Sequence, residues 1–190
     1  SFALAWQYDM PDMFLWMAPT EGSRIEAGKK YFLRWNQTFP AGTFGEIQFK
    51  RSAQSDWLTL VNQKLDEPLS WQVPEVFGNA ELRMIIATDT LYSGTFTISP
   101  MPIIRAGWIC DSVLLYWSPT ESTVHWNVYR FNSDSMQLIA ETPDTSVVIS
   151  GQGTPYMAVA PVIQGREGLR SETINYDQQN AGCYINNFLA

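Results

Sequence analysis

A single histidine, His125, bounds what acid–base chemistry this chain can do. A nucleophilic centre built from Ser/His/Asp or Cys/His would have to form around it, and a His-rich zinc site cannot be assembled from one imidazole. His125 lies in Thr123-Val124-His125-Trp126-Asn127-Val128, a β-branched and aromatic run that reads as a strand. It is expected on an outer face, and no nucleophile motif accompanies it. The carboxylates are scattered over turn-like segments: Asp9 and Asp12 near the start, Asp66 with Glu67, and Glu141 with Asp144. A glycosidase needs two carboxyl groups facing one another across a cleft, and a calcium loop needs regularly spaced oxygen ligands; neither pattern is present. Glycines such as Gly42, Gly78, Gly151 and Gly153 fall singly at turns, so none opens a phosphate-cradling loop before a helix. No catalytic residue, metal site or cofactor is therefore expected. The sequon Asn36-Gln37-Thr38 matters only in a host that glycosylates by that rule.

Two further residue types could act by contact. Eight tryptophans in 190 residues exceed what two small cores need, and flat rings stack on sugars as readily as they pack cores. Trp35, Trp57, Trp71 and Trp117 occupy strand positions expected in the core. Trp6, Tyr8, Trp16 and Trp108 are less well framed by alternation and form the expected ligand or partner patch. Cys110 and Cys183 are the only cysteines. In a reducing compartment they read as buried thiols, in an exported protein as a bridge.

The elements that would position these residues are all strands. Apolar segments recur at short intervals between Gly, Pro, Asn, Asp and Ser, and none sustains a helical period. Strands are predicted at 14–17, 30–35, 46–51, 57–61, 69–73, 80–88 and 94–98, which suffice for one sandwich. In Tyr31, Leu33 and Trp35 every second residue is large and apolar while Lys30, Arg34 and Asn36 face water; Phe32 breaks that rule. Ile85 interrupts a similar alternation and predicts a strand buried on both faces. Ser99-Pro100-Met101-Pro102 then denies further ladder bonds and marks a boundary between domains 1–100 and 101–190. Beyond it, strands are predicted at 112–117, 124–131, 136–141, 146–149, 155–162 and 171–176. The fold class expected is all-β, two consecutive antiparallel β-sandwich domains. Residues 1–13 read as an ordered lead-in, and residues 177–190, with Cys183, Tyr184, Ile185 and Phe188, as too apolar for a free tail.

Charge and hydropathy narrow the partners. A formal charge of −7 repels a phosphate backbone, and the densest basic groups are the pairs Lys29-Lys30 and Lys50-Arg51, so nucleic acid is not an expected partner. No apolar run reaches the roughly 20 residues a membrane helix needs, so membrane insertion is not expected. The first residues lack a charged segment and apolar signal core, as in a mature protein or a trimmed one, so they do not show an export route.

Two stretches carry a family resemblance. The segments GKKYFLRWNQ, EIQFKRSAQSDWLTL, LSWQVPEVFGNAELRMII and SGTFTIS resemble the immunoglobulin-like modules of secreted and cell-surface proteins of Bacteroidota. The matching positions are Trp35, Trp57, the Trp71-Gln72-Val73-Pro74 corner and Arg83, over most of residues 18–99; the usual glycine-rich turn before Trp57 is replaced by Ala53-Gln54-Ser55-Asp56. The segments GWICDSVLLYWSP, NVYRF, PDTSVVI, YMAVAPVIQGREGLRS and GCYINNF resemble the fibronectin type III-like domain that follows such modules. The resemblance implies export through the type IX secretion system to the cell surface or exterior. It also implies a disulfide between Cys110 and Cys183, and a native protein that continues past residue 190 into a sorting domain. The expected function is a non-catalytic spacer or interaction module that docks a protein partner or neighbouring domain. The alternatives are carbohydrate binding by exposed aromatics, and the accessory tail of an enzyme whose catalytic domain lies elsewhere. A coplanar row of exposed rings favours sugar; a broad apolar patch with a polar rim favours protein.

Overall fold

The computed structural model describes residues 11–109, 111–121 and 123–178. Among them no α-helix occurs. The first half contains β1 (Phe14–Ala18), β2 (Arg24–Glu26), β3 (Lys30–Gln37), β4 (Phe44–Arg51), β5 (Leu58–Lys64), β6 (Leu69–Gln72), β7 (Gly78–Ile86), β8 (Asp89–Tyr92) and β9 (Phe96–Ser99). They form a three-stranded sheet, β1-β3-β6, and a six-stranded sheet in the order β2-β9-β7-β4-β5 with β8 hairpinned onto β7. Every pairing is antiparallel except β2 with β9.

Strict alternation builds this core. Along β7, Gly78, Ala80, Leu82, Met84 and Ile86 are buried and the residues between them are half-buried. The buried cluster joins Trp16, Leu33 and Trp71 of the small sheet to Ile47, Phe49, Leu82, Met84, Phe96 and Ile98 of the large one. Two sheets, antiparallel but for the β2–β9 pair, closing on one apolar layer make an immunoglobulin-like sandwich. Each fully buried Leu, Ile or Met contributes on the order of 2 kcal/mol. Phe32 does point outward, 64% exposed. Ile85, expected to be buried, is half-buried on the outer face.

The second half contains β10 (Ile104–Ile109), β11 (Ser112–Trp117), β12 (Thr123–Asn132), β13 (Ser135–Thr142), β14 (Ser146–Ser150), β15 (Tyr156–Ile163), β16 (Arg166–Glu167) and β17 (Ile174–Asn175), followed by a 3-10 turn at Tyr176–Gln178. Its sheets are β10-β11-β14 and β13-β12-β15-β16, with β17 also on β15. All of these pairings are antiparallel, the arrangement of a fibronectin type III-like sandwich. A second buried cluster holds Val113, Leu115, Trp117, Trp126, Val128, Met157 and Val159, with the Trp117 and Trp126 rings 5.5 Å apart. β9 ends at Ser99, β10 begins at Ile104, and the residues of each buried cluster come from their own side of that stretch.

The sequence reading missed β2, β8, β10 and β16, and the strand expected at 171–176 pairs only over Ile174–Asn175. There Ser171 supplants regular pairing: its backbone N–H donates to Val159 O at 2.8 Å and its hydroxyl accepts from Val159 N at 3.0 Å.

Candidate functional site

Of the four residues expected to form a ligand or partner patch, Trp6 and Tyr8 lie outside the described residues. Of the other two, Trp16 is buried in the first sandwich and Trp108 is half-buried in the second. Trp16 is 6% exposed and its indole N–H donates to Leu91 O at 3.0 Å, tying β1 of one sheet to β8 of the other. Its ring meets Phe14 and Trp35 edge-on at 5.3 and 5.9 Å. Trp108 belongs to the other sandwich, where it packs edge-on against the buried Tyr176 at 5.4 Å. The two tryptophans pack against separate cores. Cys110 and Cys183 also lie outside the described residues.

His125 occupies the outer face of the second sandwich, its Nε2 3.9 Å from Glu141 Oε2. Asp66 and Glu67 lie in the β5–β6 turn and Asp144 in the turn after β13. Among the described residues no group of three or more His, Cys, Asp or Glu is placed to hold a metal.

Trp57, expected in the core, lies on the outer face of the six-stranded sheet. The signal was its parity: it sits two residues before Thr59, whose hydroxyl donates to Glu46 Oε1 at 2.5 Å on that wet face. The indole leans across β4 and β7, with Lys50 Nζ at 4.8 Å and the Arg83 guanidinium carbon at 4.3 Å from its centroid. Tyr92, the cross-strand partner of Arg83, is 5.9 Å away at 55° and 57% exposed. Gln48 links this cluster to its neighbours, accepting from Arg83 Nε at 2.7 Å and donating to Glu46 at 2.6 Å. The Thr59 hydroxyl and the Gln48 amide hold the Glu46 carboxyl below the usual carboxylate range, against the small opposing effect of burial.

The densest polar cluster joins the two sandwiches, and no motif announced it. The β15–β16 hairpin turns through Gln164 and Gly165, both at positive φ (50° and 76°), the geometry of a tight two-residue hairpin loop. Its tip rests on the first sandwich: Gln164 Oε1 accepts from Asn79 N at 2.9 Å, and Asn79 Nδ2 donates to Gln164 O at 3.3 Å. Leu169 N donates to Ser99 Oγ at 2.7 Å. Gly168 permits this approach, because a Cβ there would meet Ser99 Oγ at 2.5 Å. Two ion pairs of opposite sense cross the seam: Arg166 with Glu21 at 2.6 Å and Arg24 with Glu167 at 2.9 Å.

Glu167 is the hub, its side chain 12% exposed. Besides Arg24 it receives Asn127 Nδ2 at 2.8 Å, the Tyr129 hydroxyl, and Arg170 Nη2 at 3.4 Å, while the Arg170 guanidinium covers the Tyr129 ring at 3.7 Å. Burial pushes the Glu167 carboxyl up; the Tyr129 and Asn127 hydrogen bonds and the two arginines outweigh it and hold the group below the usual carboxylate range. Burial, and then the hydrogen bond to Glu167, raise the Tyr129 phenol. The Arg166 hydrogen bond, helped by Thr95 N, lowers Glu21.

No protein-family model matches this chain, and no curated protein matches it. Solved structures similar over most of its length include domains 3 and 4 of rat CD4, at 11% identity, covering 82% of this chain and 99% of that one, with a TM-score of 0.37. A two-domain fibronectin type III segment from chicken tenascin aligns at 11% identity, covering 87% and 98%, TM-score 0.46. Fibronectin(III)-like modules of Clostridium thermocellum CbhA align at 9% identity, covering 85% and 90%, TM-score 0.33. The fold assignment rests on the sheet order and the two cores, not on these alignments.

Proposed function

We propose that the chain is a non-catalytic spacer and interaction module of an exported bacterial protein, made of two domains meeting near Pro100, that holds its neighbours at a set angle. The observation that carries this is the seam. A flexible linker between independent sandwiches needs no bonds across it. Here the hairpin and the residue after it contribute two hydrogen bonds that Gln164 accepts from Asn79, one ion pair each from Arg166 and Glu167, and a close backbone approach at Gly168 that a Cβ would crowd. The export route, through type IX secretion in a member of the Bacteroidota to the exterior or cell surface, is supported by the residues that resemble that group's modules.

The docking role is supported by the outer face of the small sheet, where Met13, Leu15, Met17 and Phe32 are 48 to 64% exposed beside Lys30, Arg34 and Asn36. An apolar patch with a polar rim suits protein. The sugar-binding reading is less well served: Trp57 and Tyr92 are tilted at 55° rather than coplanar, and Lys50 and Arg83 crowd the indole. Residual dipolar couplings on the purified chain test the spacer. One alignment tensor should fit both halves; two independent tensors would show a free hinge and overturn the reading.

A further inference from the structure

The ion pairs across the seam are reciprocal: each sandwich sends one arginine to a carboxylate of the other. Arg166 of the second reaches Glu21 of the first at 2.6 Å, and Arg24 of the first reaches Glu167 of the second at 2.9 Å. Among the described residues no other ion pair joins the halves. Both carboxyl groups are fully engaged. Glu167 gives one oxygen to Arg24 and Arg170 and the other to Asn127 and the Tyr129 hydroxyl. Glu21 gives Oε1 to Arg166 and Oε2 to the Thr95 backbone N–H at 2.6 Å. A proton on either acid therefore displaces a donor or reverses a hydrogen bond. It also unbalances the charge: Arg24, Arg166 and Arg170 with the two acids carry one net positive charge when both acids are ionised and three when both are protonated. Like charges held together at a contact repel. The surrounding groups do not compensate. Glu26 lies two residues along β2 from Arg24, and Glu81 accepts from the Thr95 hydroxyl and faces Lys50 across β4 and β7; neither pairs with a seam arginine. His125 is separated from Glu167 by Val162 in the cross-strand register and pairs with Glu141, and an imidazole offers the arginines no negative charge. The remaining contacts at the seam, Asn79 with Gln164 and Leu169 N with Ser99 Oγ, are neutral.

We propose that the seam is an acid-released latch: it holds the two sandwiches at one angle while Glu21 and Glu167 are ionised, and protonation of both frees the hinge at 100–103 with each sandwich still folded. The proposal rests on the spacer reading and adds its regulation. Burial raises the Glu167 carboxyl but its hydrogen bonds and arginines outweigh that, and the Arg166 and Thr95 bonds lower Glu21, so both acids ionise more readily in the closed state. The latch is therefore complete above the ordinary carboxylate range and is lost as pH falls through the closed-state values.

The test follows the whole chain from pH 7 to pH 3 by residual dipolar couplings and small-angle X-ray scattering, with near-ultraviolet circular dichroism of the tryptophans reporting that both cores persist. The unaltered chain should fit one alignment tensor at pH 7 and two in acid, with a wider spread of overall dimensions, before either core melts. Opening should take up about two protons in the unaltered chain and about one in Glu21→Gln. Glu21→Gln combined with Glu167→Gln should be open already at pH 7 and show no further acid step. The titration of the unaltered chain decides the proposal even where the double variant fails to fold. A single tensor that survives until a sandwich unfolds would overturn the latch and leave the spacer reading standing. A folded double variant that stays closed at pH 7, or opens at the same acid midpoint as the unaltered chain, would also overturn the latch alone. Two tensors for the unaltered chain at pH 7 would overturn both readings.

Discussion

Replacing Glu167 with Gln preserves shape and removes one charge at the centre of the seam. One carboxylate oxygen faces Arg24 at 2.9 Å and Arg170 at 3.4 Å; the other takes Asn127 Nδ2 at 2.8 Å and the Tyr129 hydroxyl. An amide supplies only one acceptor. Turned toward Asn127 and Tyr129, its NH2 confronts two guanidinium groups; turned the other way, it confronts the Asn127 amide. Two charge-assisted bonds are lost either way, and after discounting for the 40% exposure of Arg24 the cost is about 2 kcal/mol. For a domain of this size that lowers the melting temperature of the second sandwich by on the order of 10 °C. Arg24→Gln removes only the bond across the seam and should cost less, about 1 kcal/mol. The pH dependence follows from the same contacts. The folded-state pKa of Glu167 is depressed, so its contribution is complete above the ordinary carboxylate pKa and is lost as pH falls through the folded value. Glu167→Gln should flatten part of that acid-side loss. Differential scanning calorimetry from pH 3 to 7 measures both effects. A shift below 1 °C with an unchanged acid limb would refute the role given to Glu167.

Trp16→Ala should cost about 3–5 kcal/mol in chemical denaturation and Trp57→Ala about 1 kcal/mol, because only the first ring belongs to a core; equal costs would contradict their placement. Gly168→Ala forces a Cβ onto Ser99 and should cost about 1–3 kcal/mol while leaving each sandwich's own strand pairing intact by hydrogen exchange. Cys110 and Cys183 should be found joined by peptide mapping of chain prepared under oxidising conditions. Reduction should then lower stability by about 4 kcal/mol on the loop-entropy account, and two free thiols would remove that support for an oxidising compartment.

What the sequence displayed is the part governed by alternation. Tyr31, Leu33 and Trp35 set the inner side of β3 and correctly isolated Phe32 as the exception, now seen exposed. Elements without that signal were lost. β8 was invisible because its hairpin turns at Ala87 and Thr88, with Ala87 at φ 52°, in place of the Asn-Gly pair that marks such loops. β10 was missed because Gly107 dilutes its apolar pattern, while β2 and β16 are too short to show one. Trp57 was misplaced because a tryptophan in a strand-like run was weighed by its bulk and not by its parity with Thr59. The seam could not be read at all. Gln164-Gly165 looks like an ordinary hairpin tip, and what it touches, Asn79, like the Ser99 that Gly168 and Leu169 meet, is fixed only once both sandwiches have formed.

The measurement closest to the central claim is the relative orientation of the two halves in solution, read from residual dipolar couplings of the intact chain at neutral pH and moderate salt. One alignment tensor should fit residues 14–99 and 104–176 together, and Glu167→Gln combined with Arg166→Gln should split it into two. Separate tensors for the unaltered chain would contradict a fixed seam, and a single tensor surviving both substitutions would show that these charges do not hold it.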